Sequence, residues 1–336
     1  MTSPRADETT LSNGRPKPVL TKRPTIRDVA ERAGVSFKTV SRVVNGEGGV
    51  SPGMKARVDE AVAELGFRLD ERARNLRQGE SPATTIGFVL VDVANEFFGS
   101  LLRGIEEVAT ARQCVVLSGS TDRSPERERQ LIDAFVGRRV DGLIVVYSGS
   151  SAAALNAEIA RGTPIVFLDL EPEDVKADLV RSDHYAGAKL ATEHLLKHGH
   201  VDIAYFGDDS TVVSANQRLL GHLDTMREAG CEVTRDRTVT GSHSAGEWRT
   251  IALEALGVPS PPTAVVTAQN IITVGTVAAL HELGLQRTIA QVGFDDVDLA
   301  AVVEPPITVV PQRPIELGRR AAEQLLLVSR ARTAHR

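Results

Sequence analysis

A chain of 336 residues, 42% of them hydrophobic, can build two or three folding units with sizeable cores. It holds no apolar run long enough to span a membrane, and its first residues lack the apolar stretch of a secretory signal. Cys114 and Cys231 lie far apart in the sequence and suit a reducing cytoplasm better than a disulfide framework. The net charge of −5 is unevenly spread, with 15 Lys/Arg against 11 Asp/Glu in residues 1–80 and 24 against 33 in the rest, a basic head on an acidic body.

Residues 1–24 are rich in Pro, Thr, Ser and charge, without apolar periodicity, and read as a disordered tail; Arg15, Lys17, Lys22 and Arg23 in it either stay solvated or graze phosphates. Thr25 to Asn45, TIRDVAERAGVSFKTVSRVVN, carries two short helical patterns joined at a glycine. Ile26, Val29, Ala30 and Ala33 share one face of the first. Thr25 stands where an N-cap belongs, and Asp28 can complete a capping box. Gly34 allows the sharp turn, because a positive φ costs little without a Cβ. Ser36 caps the second helix, which turns Val40 and Val43 inward and leaves Phe37, Lys38, Thr39, Ser41 and Arg42 outward. A helix-turn-helix with a polar, basic outer face fits the DNA major groove. The flexible Gly46-Glu47-Gly48-Gly49 loop follows. A third helix starts at Ser51-Pro52, repeats Val58, Ala61, Val62 and Leu65 at helical spacing, and stops at Gly66.

The motif DVAxxAGVSxxTVSRVVN resembles the DNA-binding head of LacI/GalR-type bacterial transcription regulators. The resemblance implies that residues 67–80 form a hinge that becomes helical on operator DNA and pairs with the same segment of a second subunit. Leu76 matches the family's minor-groove wedge, with Arg74 and Arg77 beside it on phosphates or in the groove. The family's Tyr-x-Pro-Asn entry to the hinge reads Phe67-Arg68-Leu69-Asp70 here, which removes the proline and adds a negative charge; Asp70 can instead cap the hinge helix.

From Thr85 onward, apolar β-rich runs at 86–91, 114–119, 140–146, 164–170, 203–207, 264–268 and 289–294 alternate with helical patterns at 97–112, 125–138, 151–161, 185–198, 214–229, 246–256, 271–283 and 314–329. This alternation predicts parallel sheets with helices on both faces, in more strands than one sheet holds. The expected fold class is an all-α helix-turn-helix head followed by an α/β body of two doubly wound parallel-sheet lobes. The body resembles the periplasmic-binding-protein-like part of the family. Residues 25–66 are then the DNA-binding domain and 81–336 the effector-binding and dimerisation domain. Lobe one takes about 85–182 plus 308–330, and lobe two about 185–305.

In an open parallel sheet, ligands bind beyond the carboxyl ends of the strands. Asn95, Phe97 and Phe98 follow the first strand; an amide and paired aromatics suit the hydroxyls and CH face of a sugar. Asp169 ends the fourth run, followed by Leu170 where the family often has an aromatic or arginine. Ser214 and Arg218 match the start of a family helix, and Arg218 can fork onto ligand oxygens. Gln269-Asn270 stands where the family has Asn-Asp, and Asp295 lies in a matching Gly-aromatic-Asp-Asp. Each of these side chains could equally serve as an internal cap or hinge bond.

Two other patterns carry less. His194, His198 and His200 have partial zinc spacing, but the family places a helix end there without metal, and no general-base Glu stands between them. Ser148 to Ser151 has phosphate-loop character without the P-loop lysine. No metal, cofactor or catalytic constellation stands out.

The sequence reading is therefore a cytoplasmic, ligand-responsive transcriptional regulator, a repressor by resemblance. Phe37, Lys38 and Arg42 read bases, and Ser36, Thr39, Ser41 and Asn45 hold phosphates. The operator is near-palindromic, read by a homodimer; no heptad-rich extension before Arg336 suggests a tetramer. The effector is a sugar, or alternatively a nucleoside or purine. The competing classes are a sugar-binding protein without DNA binding, separable by salt-dependent DNA affinity, and an enzyme on a doubly wound fold, separable by turnover.

Overall fold

The computed structural model describes residues 24–67, 85–149, 151–170, 172–297 and 300–333. The tail up to residue 23 and the hinge residues Arg74, Leu76 and Arg77 lie outside the described residues. The chain divides between Ala83 and Thr84 into two compact units.

The head unit contains α1 (Ile26–Ala33), α2 (Phe37–Val44) and α3 (Pro52–Leu65). Each helix starts with a side-chain cap: Thr25 with Asp28 as a full capping box, then Ser36, then Ser51 ahead of Pro52. Gly34 and Gly66 end α1 and α3 in the left-handed conformation, each at φ 62°. The core is Val29, Ala33, Val40, Val58 and Ala61. Burying a valine contributes roughly 2 kcal/mol, while ordering each residue costs about 1–2 kcal/mol. The margin is slender, so the caps, at ~1 kcal/mol each, matter here.

The body unit holds two five-stranded, all-parallel sheets. The first runs β2 (Val115–Ser120), β1 (Thr85–Leu90), β3 (Gly142–Val145), β4 (Ile165–Leu168), β5 (Asp178–Val180) in spatial order. Ile86, Phe88 and Leu90 of β1 face α4 (Glu96–Ala111) and α11 (Pro314–Thr333), while Val89 and Leu143 face α5 (Pro125–Gly137) and α6 (Ala152–Arg161). The second sheet runs β10 (Thr308–Val310), β9 (Ala290–Phe294), β8 (Ala264–Thr267), β6 (Ile203–Gly207), β7 (Thr238–Thr240). Its faces carry α7 (His184–Lys197) with α8 (Val213–Glu228), and α9 (Ala245–Leu256) with α10 (Asn270–Leu283).

Helices α4 and α11 pack backbone against backbone. A Cβ on Gly104 would stand 2.1 Å from the Ile315 carbonyl oxygen, and one on Gly318 would stand 2.1 Å from that of Leu101. That contact ties the last helix to the first lobe, although the strand before it belongs to the second. Among the described residues the chain crosses between lobes twice, after β5 and after β10.

The expected boundary at 308 therefore needs correcting. Thr308, Val309 and Val310 pair with Val292, Gly293 and Phe294 in the second sheet, so the return to the first lobe begins only after them. The runs expected as strands all form, but β5, β7 and β10 have no counterpart in the sequence pattern. Each is a three-residue edge strand, half-exposed, and too short to show an apolar run. Among the described residues, no helix is long and apolar enough to cross a membrane.

Candidate functional site

Two surfaces bring together the residues singled out by the sequence. The first is the outer face of α2. Val40 is fully buried, which turns Phe37 and Lys38 to solvent, with Phe37 44% exposed despite its apolar ring. Arg42 is half-exposed on the same helix, its Nε 4.0 Å from Glu47 Oε2. Ser36 Oγ accepts from the Thr39 amide at 3.1 Å and shares a 2.9 Å hydrogen bond with Thr39 Oγ1. Asn45 Nδ2 donates to Ser41 Oγ at 3.3 Å, and Asn45 Oδ1 is buried without a protein partner. The four residues expected on phosphates thus also hold one another. Arg57 on α3 was not singled out by the sequence. It donates through Nε to the Ala33 carbonyl at 3.0 Å and through Nη2 to that of Gly34 at 2.7 Å, fixing the turn that aims α2.

The second surface is a cleft of about 570 Å³ in the body, at the carboxyl ends of both sheets. All eight residues picked from the sequence, Asn95, Phe97, Phe98, Asp169, Ser214, Arg218, Gln269 and Asp295, border it. Their roles differ. Asn95 caps α4 through its Oδ1, 3.0 Å from the Phe97 amide nitrogen, and exchanges two hydrogen bonds with Asn270 of the other lobe, at 2.8 and 3.3 Å. Both amides are buried. Asn95 is therefore mainly an inter-lobe strap, and Asn270, where the family carries a charge, completes it as a neutral amide. Phe97 and Phe98 meet edge to face at 5.4 Å.

Asp169 and Asp295 each follow a strand in the left-handed backbone region, at φ 66° and 71°. Non-glycine residues held there cost of order 1 kcal/mol or more and cluster at functional sites. Asp169 Oδ1 accepts from His184 Nε2 at 2.7 Å, which leaves His184 Nδ1 buried and unpartnered. Asp295 contacts Gln312 Nε2. Burial pushes its carboxyl up, while the Arg218 guanidinium and the Gln312 hydrogen bond pull it back. Arg218 is 5% exposed and lies over the Phe294 ring, with Cζ 4.8 Å from the centroid. Its Nε reaches the Ser214 carbonyl at 3.3 Å, but Nη1 has no protein partner. Gln269 Oε1 and Gln312 Oε1 are likewise buried and unpartnered. A buried donor or acceptor left unpaired costs about 1–3 kcal/mol. Three residues that border the cavity thus carry such an atom, as Tyr205, His222 and Thr276 do away from it.

Other cleft residues went unremarked in the sequence. Arg123, after β2, donates to Asp208, after β6, at 3.0 Å across the lobes. Tyr147 follows β3, and burial, with Glu128 and Asp174 nearby, pushes its phenol up. Glu128, fully buried on α5, accepts from the Ser148 amide and from the hydroxyls of Ser148 and Ser151. It thereby fixes the β3–α6 loop that forms one wall. Arg123, Tyr147 and Asp208 stand just beyond strands that the sequence pattern shows, where the same carboxyl-end rule finds them, whereas Gln312 follows β10, which it does not show. Nothing local marks Glu128. Among the described residues, no group of three or more His, Cys, Asp or Glu could hold a metal ion.

Residues 25–69 match a family model for bacterial regulatory proteins of the lacI family, and residues 192–336 match one for a periplasmic binding protein-like domain. The chain is 31% identical over 305 residues to the ribose operon repressor of Escherichia coli strain K12, covering 90% of this chain and 92% of that one. It is 28% identical over 313 residues to the HTH-type transcriptional repressor CytR of the same strain, covering 93% and 91%. Its fold is similar to that of the lac repressor dimer bound to operator and the anti-inducer ONPF, with a TM-score of 0.75, 28% identity, and coverage of 92% of this chain and 94% of that one.

Proposed function

The chain belongs to the lacI family of bacterial regulatory proteins, and we propose that it is a cytoplasmic repressor whose hold on operator DNA is set by a sugar in the body cleft. It is a regulator rather than an enzyme. The observation that carries this reading is one chain with a basic, capped recognition helix in one unit and a polar, under-satisfied cavity in the other.

In the head, Lys38 and Arg42 reach guanine O6 and N7, and Phe37 packs on a thymine methyl. Ser36, Thr39, Ser41 and Asn45 set register against phosphates. Two copies bind as a dimer, so the operator is near-palindromic. At the centre of the site Leu76 wedges into the minor groove, flanked by Arg74 and Arg77. The lac repressor structure, a dimer on its operator, supports this arrangement.

In the body, a sugar stacks its CH face on Phe97 or Phe98 and offers hydroxyls to Arg218, Gln269, Asp295 and Asp169. The similarity to a ribose operon repressor supports a sugar. A guest touching both lobes favours one lobe arrangement over another, and DNA affinity and ligand affinity then shift each other by the same factor.

The test is a selection of binding duplexes from random DNA by the purified full chain, repeated with a panel of sugars and nucleosides. A near-palindromic consensus, enriched in a way that one panel compound alters, is the expected result. Enrichment without symmetry removes the dimer, and enrichment that no compound alters removes effector control.

A further inference from the structure

We propose that the cleft selects an uncharged, polyhydroxylated ligand and rejects the phosphate ester of the same compound. This rests on the ligand-sensing reading above and adds to it the charge state of the ligand.

Among the described residues that line the cleft, the cations are Arg123 and Arg218 and the acids are Asp169, Glu173, Asp174, Asp208, Asp209 and Asp295. Arg123 is already committed, with its Nη2 3.0 Å from Asp208 Oδ2. Arg218 is buried, and its charge acts on the buried Asp295 carboxyl. Toward the exposed rim stand Glu173 and Asp174, both exposed, and Asp209. Hydrogen bonds from Thr211 to Asp209 favour its ionised form. A phosphate ester brings about −1.5 to −2 charges into a lining where carboxylates outnumber guanidiniums.

The unspent hydrogen-bonding atoms point the same way. Arg218 Nη1 is a donor in want of an acceptor, while Gln269 Oε1 and Gln312 Oε1 are acceptors in want of donors. Gln312 is oriented by its Nε2, which is spent on Asp295. A hydroxyl both donates and accepts and can serve all three. An ionised phosphate only accepts, so the esterified position offers nothing to either glutamine oxygen and only the ester's remaining hydroxyls can serve them.

One feature favours an anion. Helices α8 and α10 open on the cleft at Val212 and Gln269 without a side-chain cap, and a helix N-terminus carries about half a positive charge. Asp208 and Asp209 stand just ahead of α8 and offset its share. At α10 the Ile271 amide already donates to Asn270 Oδ1 at 2.8 Å, and a helix start serves a neutral hydroxyl oxygen as well as an anion.

The experiment is calorimetric titration of the full chain with matched pairs: D-ribose and ribose 5-phosphate, D-glucose and glucose 6-phosphate, adenosine and adenosine 5′-monophosphate. Every uncharged compound that binds should bind at least tenfold more tightly than its ester, which is about 1.4 kcal/mol. A second arm uses the double variant Glu173→Gln/Asp209→Asn, which should narrow that ratio at least threefold by making the ester more acceptable. An ester binding as tightly as its parent overturns the proposal, and so does a ratio unmoved in the double variant. If no compound in either arm binds or alters DNA affinity, the ligand-sensing reading itself fails, and this proposal falls with it.

Discussion

Replacing Arg218 by methionine separates binding from folding at the centre of the cleft. Methionine keeps most of the aliphatic stem and removes the guanidinium. The wild-type Nη1 is buried and unpartnered, so a ligand oxygen that reaches it gains a charge-assisted hydrogen bond of about 1.5–3 kcal/mol. Losing it should weaken effector binding roughly ten- to hundredfold. The cost to the unliganded protein is smaller because opposing effects compete. The variant loses the stacking of the guanidinium on Phe294, at 4.8 Å, worth ~1–2 kcal/mol. It also no longer buries a cation, a relief of comparable size. Asp295 loses the guanidinium that holds its carboxyl down, so burial pushes that carboxyl further up, toward its neutral form. The unliganded Tm should therefore shift by only a few degrees. Calorimetric titration with the best ligand, beside a thermal scan without ligand, gives both numbers. Ligand affinity within twofold of wild type would refute the reasoning, and so would a loss of affinity matched by a collapse in Tm.

Three further outcomes test other parts of the structure. His222 lies buried against Tyr205, with ring centroids 5.1 Å apart, and burial holds its imidazole down to about 4. An unfolded histidine takes its proton near 6.5, so the unfolded state alone gains a proton as pH falls from there to about 4; stability should drop by ~3 kcal/mol over that window, and denaturant midpoints of a His222→Asn variant should show a shallower slope. Glu128→Leu removes the acceptor of the Ser148 amide and of the Ser148 and Ser151 hydroxyls, so effector affinity should fall about tenfold by titration while operator affinity without effector stays within threefold. Arg42→Ala should lower affinity for the selected duplex by about 1–3 kcal/mol and for random duplex far less, measured by anisotropy at fixed salt; equal losses on both would remove Arg42 from base reading.

Much of this was legible in the sequence because it rests on local chemistry. Thr25 with Asp28, Gly34 and Ser36 specify cap, turn and cap within a dozen residues, and the structure forms each of them. The inner strands are continuous apolar runs because both faces are buried. Cleft residues such as Asp169, Gln269 and Asp295 could be found by their position just beyond a strand. The rest depends on distance in the chain. Asn95 and Asn270 are 175 residues apart, and Arg123 and Asp208 are 85 apart. No spacing rule pairs them before the sheets exist. Gln312 was invisible because β10, the strand ahead of it, is too short to announce itself. Glu128 looked like one charge among several in PERERQ, and only burial distinguishes it from Glu126.

The central claim is that a small molecule in the body cleft changes how tightly the head holds its operator. The direct measurement is the dissociation constant of the full chain for its selected duplex, by fluorescence anisotropy, without and with a saturating dose of the sugar that binds the cleft. A change of at least fivefold is predicted, the lower end of ordinary allosteric coupling, with the reciprocal change in sugar affinity when DNA is present. Identical constants in both directions, with the sugar demonstrably bound, would contradict it.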